Sequence, residues 1–228
     1  MVVLAASQTG VGDLTIDGTN VYWTNATTSS GHIMKVNKNG GTSVDGGARP
    51  GDGSAPADSG AAIASDAPVE LAVANWPSDV AVDATYVYWM EQIGSSSPSQ
   101  AAPGPWRVPI AGGPAVQVAK SDSVEPTGLA LDQDNVYFMD DQGSLFTVPK
   151  SGGTEHLMLS DLGQVPTGLA SDGTNLYISA VSALLNLPLA GGFPTVLANY
   201  GNNSPAFLAV DVTSVYVADG FTVLKVAK

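Results

Sequence analysis

One phrase of ten residues occurs five times in the chain, and it leaves the fold little freedom. The copies are Leu14-Thr-Ile-Asp-Gly-Thr-Asn-Val-Tyr-Trp23, Val80-Ala-Val-Asp-Ala-Thr-Tyr-Val-Tyr-Trp89, Leu129-Ala-Leu-Asp-Gln-Asp-Asn-Val-Tyr-Phe138, Leu169-Ala-Ser-Asp-Gly-Thr-Asn-Leu-Tyr-Ile178 and Leu208-Ala-Val-Asp-Val-Thr-Ser-Val-Tyr-Val217. Two positions never vary. One is Asp17, Asp83, Asp132, Asp172 and Asp211; the other is Tyr22, Tyr88, Tyr137, Tyr177 and Tyr216. The aspartates stand 66, 49, 40 and 39 residues apart. A unit of about 40 residues cannot bury its apolar face alone, so the copies must stack.

A second phrase follows the first. It reads Ile33-Met-Lys-Val-Asn-Lys-Asn-Gly-Gly41, Trp106-Arg-Val-Pro-Ile-Ala-Gly-Gly113, Leu145-Phe-Thr-Val-Pro-Lys-Ser-Gly-Gly153 and Leu185-Asn-Leu-Pro-Leu-Ala-Gly-Gly192. Each Gly-Gly suits a tight hairpin turn, where positive φ is needed. Short apolar runs come next, at Val69–Ala72, Val116–Ala119, His156–Leu159 and Thr195–Ala198. The period therefore reads as four antiparallel strands, a to d, and no stretch has the spacing of a long amphipathic helix. The expected fold is all-β, a five-bladed β-propeller of four-stranded blades in one domain over 1–228. The chain stops where a fifth Gly-Gly would begin, and Met1–Ala6 reads as the missing strand d. The N-terminal strand is thus expected to pair into the C-terminal blade and close the ring, hiding free edges.

Composition narrows the chemistry. With 21 acidic and 8 basic residues the net charge is −13. Phosphate binding needs a basic footprint, so nucleic acid is not an expected partner. There is no cysteine, which removes disulfides, thiol catalysis and zinc–thiolate sites together. No apolar run reaches membrane-spanning length and Met1–Leu4 lacks a basic flank, so neither membrane insertion nor a targeting segment is expected. A monomer without cofactor or metal is expected.

Two inserts lengthen the period. Residues 43–68, rich in Gly, Ala, Pro, Ser and Asp without aromatics, read as a flexible loop, since they have too little apolar surface to offset their ordering entropy. Residues 91–105 replace a short b–c loop. Loops b–c and d–a share one face of a propeller, and tight turns a–b and c–d share the other. Function is expected on the face with variable loops. The Asp column sits at the tight a–b turns, where an aspartate bonds its own backbone, and the Tyr column packs between blades; both read as structural. Pro77, Pro126, Pro166 and Pro205 form a third structural column ahead of strand a.

Departures from the repeat supply the candidate ligand-binding residues: Trp76, Glu91, Trp106, Glu125, Asp140, Asp141, Tyr200 and Asn202. Asn75-Trp76 and Asn199-Tyr200 hold equivalent places before strand a. An aromatic beside an amide suits a sugar ring, and it equally suits a lid over the blade-to-blade core. Glu91, Glu125, Asp140 and Asp141 would be the acids of a glycosidase if two of them faced each other at about 5 Å or about 6.5–9.5 Å. No residue is assigned a catalytic or metal-binding role. His32 and His156 lie on different blades, which argues against a serine–histidine triad or a multi-histidine centre.

At Val21-Tyr-Trp-Thr-Asn25 and Val87-Tyr-Trp-Met-Glu91 the repeat resembles YWTD and NHL-type propellers and the wider group that holds the virginiamycin B lyase-like proteins. It looks most like bacterial proteins that repeat Asp-Gly-Thr-Asn-Val-Tyr-Trp and then Val-Pro-Lys-x-Gly-Gly. The resemblance implies the blade type over nearly the whole chain outside the inserts, and a bacterial exported or surface protein. YWTD propellers usually have six blades. The lyase-like group usually has seven, with a histidine-bearing magnesium site that neither His32 nor His156 reproduces, so lyase activity is not implied. The expectation is a non-catalytic binding module whose ligand, a glycan or a protein loop, sits on the variable-loop face. The alternatives are a carbohydrate-active hydrolase or lyase using the loop carboxylates, and a scaffold without a small-molecule site.

Overall fold

The strand-forming phrases lie where their alternation demands. The computed structural model describes residues 2–26, 31–40, 42–43, 67–92, 102–122, 125–201, 207–218 and 222–228. Among these it has 21 strands and no helix. Strand β1 (Val2–Val3) comes first. Blade one is β2 (Val11–Ile16), β3 (Asn20–Ala26), β4 (Gly31–Asn37) and, after the short β5 (Thr42–Ser43), β6 (Val69–Ala74). Blade two is β7 (Pro77–Val82), β8 (Tyr86–Glu91), β9 (Gly104–Pro109) and β10 (Val116–Gln117). Blade three is β11 (Pro126–Leu131), β12 (Asn135–Asp140), β13 (Leu145–Pro149) and β14 (His156–Leu159). Blade four is β15 (Pro166–Ser171), β16 (Asn175–Ala180), β17 (Ala183–Pro188) and β18 (Thr195–Asn199). Blade five has three described strands, β19 (Phe207–Val210), β20 (Ser214–Ala218) and β21 (Val223–Ala227).

All pairings within blades are antiparallel. The inner strand of each of the first four blades carries a bulge, as between Pro77 and Val80 or between Thr127 and Leu129. A bulge adds twist and bends the strand into the propeller. The molecule is a five-bladed β-propeller, as the repeat implies.

Alternate residues of a strand face opposite ways, so each second strand serves two interfaces. Val87 and Trp89 join Tyr22, Ile33 and Val80 in the core between blades one and two. Tyr88 and Met90 turn the other way and join Leu129, Val136 and Phe138 between blades two and three. Ala130, Tyr137 and Met139 meet Leu169, Leu176 and Ile178 between blades three and four. Tyr177 and Leu184 meet Val215 and Val217 between blades four and five.

The fifth junction differs. Leu14 of blade one is 60% exposed, whereas its counterparts Val80, Leu129 and Leu169 are 5%, 7% and 8% exposed. Val11, Ile16, Phe207 and Val223 are also open to solvent. The expected closing exchange is not formed among the described residues. Strand β1 pairs instead with β5, Val2 opposite Ser43 and Val3 opposite Thr42. Leu4, Ala5 and Gln8 line a cavity of about 190 Å³ with Val21, Trp23 and Val36, on the face of blade one that a preceding blade would cover. The Asn25 amide donates to Gln8 Oε1 at 2.9 Å. The physical reason is uncovered apolar surface: no preceding blade packs on Val21, Trp23 and Val36, and the apolar N-terminal run lies against them. Residues 44–66 and 93–101, the bulk of the two inserts, lie outside the described residues.

Candidate functional site

The invariant Asp and Tyr columns form one unit at every a–b turn. Asp132 Oδ1 accepts from the backbone N–H of Asp134 at 2.8 Å and of Asn135 at 2.6 Å. Its Oδ2 accepts from the Tyr137 hydroxyl at 2.7 Å. The same tyrosine bond is 2.7 Å at Asp17, 3.1 Å at Asp83, 2.9 Å at Asp172 and 2.9 Å at Asp211. A hydroxyl carried inside a packed face needs a partner, and the turn aspartate supplies it. These columns hold the fold and offer no free reactive group.

Their ionisation gives a stability profile. Burial alone would raise the carboxyls of Asp17, Asp83, Asp132 and Asp172, but the donated hydrogen bonds outweigh it and hold them low. Asp211 is lowered to about 2, chiefly by the Thr213 N–H and the Tyr216 hydroxyl. Unfolded aspartate titrates near about 3.9. These five groups therefore add stability that is full above about pH 4 and is lost as pH falls through their folded values. Burial raises the carboxyls of Asp13, Glu91 and Glu155, and those groups gain stability as pH falls through their raised values. Thermal melts followed by circular dichroism should thus show a shallow rise in Tm from about pH 7 toward pH 4, then a steep fall toward pH 2. A steady fall from neutral pH would contradict this balance.

Several loop residues singled out in the sequence are held by local bonds. Glu91 is 3% exposed and ends β8. It accepts from the Asn75 N–H at 3.1 Å, the Asn75 amide at 3.4 Å and the Trp89 indole at 3.2 Å. These bonds pin the bend that puts Trp76 at a φ of 45°, 38% exposed. Asp140 is 9% exposed and accepts from the N–H groups of Gln142 and Ser144 at 3.0 and 2.7 Å, capping the turn from β12 to β13. Asp141 follows it, half-buried, and Glu125 is exposed just before β11. Trp106 stacks on Trp89 with ring centres 6.3 Å apart. Tyr200 packs over the core between blades four and five. Asn202 lies outside the described residues.

A different constellation occupies the centre. The inner strands of all five blades line a channel of about 340 Å³. One residue ahead of the Leu/Val column stand Asp13, Asp79, Gly128, Gly168 and Phe207. Blades one and two thus put an aspartate each on the channel wall, near the end of strand a that meets the variable-loop face. Asp13 Oδ2 accepts from the Val80 N–H at 2.9 Å, which ties the pair across the blade boundary. Burial, reinforced by the negative charge of Asp79, raises the Asp13 carboxyl despite bonds from the Val80 and Leu14 N–H groups. Such a pair attracts a cationic or hydrogen-donating group. Among the described residues no three His, Asp or Glu side chains are grouped to hold a metal ion.

The sequence reading missed Asp13 and Asp79. Their signal was present: where blades three and four carry glycine in this column, blades one and two carry aspartate.

No protein-family model and no curated protein matches the sequence. Solved structures share the fold. A chain of the nidogen/laminin complex superposes over 94% of this chain and 74% of its own length, with a TM-score of 0.70 and 18% identity. A gluconolactonase from Xanthomonas campestris covers 99% of this chain and 74% of its own, with a TM-score of 0.65 and 16% identity. BamB from Moraxella catarrhalis covers 94% and 56%, with a TM-score of 0.54 and 14% identity. All three are β-propellers, which establishes the architecture and leaves function to the site itself.

Proposed function

We propose that this propeller is a non-catalytic binding module that takes a protein loop at the variable-loop mouth of its channel, with a lysine or arginine of the partner received between Asp13 and Asp79. Two aspartates on the wall of one cavity, close enough for the charge of Asp79 to act on Asp13, carry this reading. The net charge of −13 supports it, because an acidic surface raises the encounter rate of a basic partner. Glu91 and Asp140 spend their oxygens on turns of their own blades, which weighs against the opposed acids of a glycosidase. Among the structural neighbours, one chain belongs to a nidogen/laminin complex and another structure is of YCF48 bound to D1 peptide. Both are complexes with a polypeptide, which favours a protein loop over a glycan here.

The test is calorimetric titration of the full chain with a short lysine- and arginine-bearing peptide, beside a glycan array. The expected result is salt-sensitive peptide binding that weakens on the order of tenfold in Asp79→Asn. Binding that ignores Asp79→Asn, or glycan binding without peptide binding, would overturn the assignment.

A second reading rests on the raised Asp13 carboxyl beside Asp79, because a shifted acid next to a second carboxylate is what proton transfer requires. It makes the mouth a hydrolase or lyase site. Turnover of a lactone or glycoside panel, abolished by Asp79→Asn, would establish that reading in place of the first.

A further inference from the structure

At the junction between blades five and one, the groups that link the other blades do not meet each other. Elsewhere a lysine that ends strand c reaches back to the Asp–Tyr unit of the preceding blade. Lys150 of blade three bonds Asp83 of blade two at 2.9 Å and lies 5.5 Å from the centre of the Tyr88 ring. Lys228 bonds Asp172 of blade four at 2.7 Å and lies 5.4 Å from the Tyr177 ring. Lys38 holds the same position in blade one, but it donates to the Asp17 carbonyl of its own blade. Asp211 of blade five holds the acceptor position, and no lysine reaches it among the described residues.

A second link repeats the pattern in the forward direction. Lys35, opposite Tyr22, donates to the Ile110 carbonyl of blade two at 2.9 Å. Arg107, opposite Tyr88, donates to the Lys150 carbonyl of blade three. Lys225, opposite Tyr216, is their counterpart in blade five and rests 5.6 Å from its own Tyr216 ring. Its matching acceptor is the Lys38 carbonyl. The apolar surfaces beside these groups are Val11, Leu14 and Ile16 on blade one, which stay exposed next to the Leu4, Ala5 and Gln8 that lie by Trp23 and Val36, and the exposed Phe207 and Val223 on blade five.

We propose that the open face of blade five docks the open face of blade one of a second copy of this chain. Within one chain the width of the seam is set by four packed cores, and packed cores deform little. A separate copy is not bound by that angle. In the contact, Lys38 of one copy meets Asp211 and Tyr216 of the other, Lys225 meets the Lys38 carbonyl, and the two apolar rims cover each other. The interface is heterologous, so each joined pair keeps one open face of each kind and assembly grows with concentration.

Sedimentation of the full chain over the micromolar range tests this. The expected result is a mass that rises from one chain to two and more. Lys38→Glu alone and Asp211→Lys alone should each weaken association on the order of tenfold. An equimolar mixture of the two variants should restore pairing, since the two reversed charges then face each other across the contact. Leu14→Asp, at a side chain already exposed, should weaken association without lowering Tm, which separates the interface from folding. A single-chain mass at every concentration would overturn the proposal, and so would association untouched by Lys38→Glu and Leu14→Asp. Closure of one chain on itself would leave a monomer and show no rescue in the mixture.

Discussion

Trp89→Ala should lower stability by about 3–5 kcal/mol, which is the cost of emptying a large buried aromatic site. In a chain of this length that corresponds to a fall in Tm of roughly 10 °C. Trp89 is 0% exposed and sits in the core shared by blades one and two, among Tyr22, Ile33, Val80 and Val108. It also stacks on Trp106 and donates its indole N–H to Glu91. The substitution therefore opens a cavity and strips a donor from a buried carboxylate. Phe193→Ala is the control. Phe193 is 87% exposed, and its loss should shift stability by no more than about 0.5 kcal/mol. Chemical denaturation of both variants checks the contrast, and equal losses would mean that the blades do not pack through this core.

Asp132→Ala should cost about 2–3 kcal/mol, although the aspartate lies at a turn. Its carboxylate satisfies two backbone N–H groups and the hydroxyl of Tyr137, a residue only 4% exposed. Removing it leaves that hydroxyl without its partner inside the interface of blades three and four. Tyr137→Phe removes both the donor and the need for an acceptor, so it should cost less. The double variant should lose clearly less than the two single losses added together, because one bond is shared. Strict additivity in that cycle would show that the column is a turn motif alone and does not tie turn to core. The alkaline limb gives an independent check. Burial and the aspartate hold the Tyr137 and Tyr177 hydroxyls up at about 12, so stability should fall as pH rises from about 10 through that value.

The blade was readable because its determinants are local. The phrase that ends in Val-Tyr-Trp alternates its faces within one strand, and Asp17 or Asp132 closes its own turn two and three residues on. The bond from the Asp column to the Tyr column spans only five residues, so identical spacing in five copies repeats identical geometry. The candidate site was less readable. Glu91 and Asp140 stand out as charged departures from the repeat, yet their partners lie in the adjoining turns. Asp13 and Asp79 come together only because β2 and β7 are neighbours around a channel, 66 residues apart in sequence.

By itself the sequence determined the number of blades, the order of strands within each blade and the turn that joins its first two strands. Hydrogen bonds and side-chain alternation within about 40 residues are enough for that. The tertiary structure alone decided how the first and last blades meet. That junction depends on angles summed over four interfaces, and no single repeat encodes the sum. It also decided where the N-terminal residues go. Met1–Ala6 match a closing strand in pattern, but β1 pairs with β5 and Leu4, Ala5 and Gln8 lie beside Trp23 and Val36 of blade one. Apolar residues go to whichever apolar surface is left uncovered, and a pattern shared by every blade cannot say which surface that is.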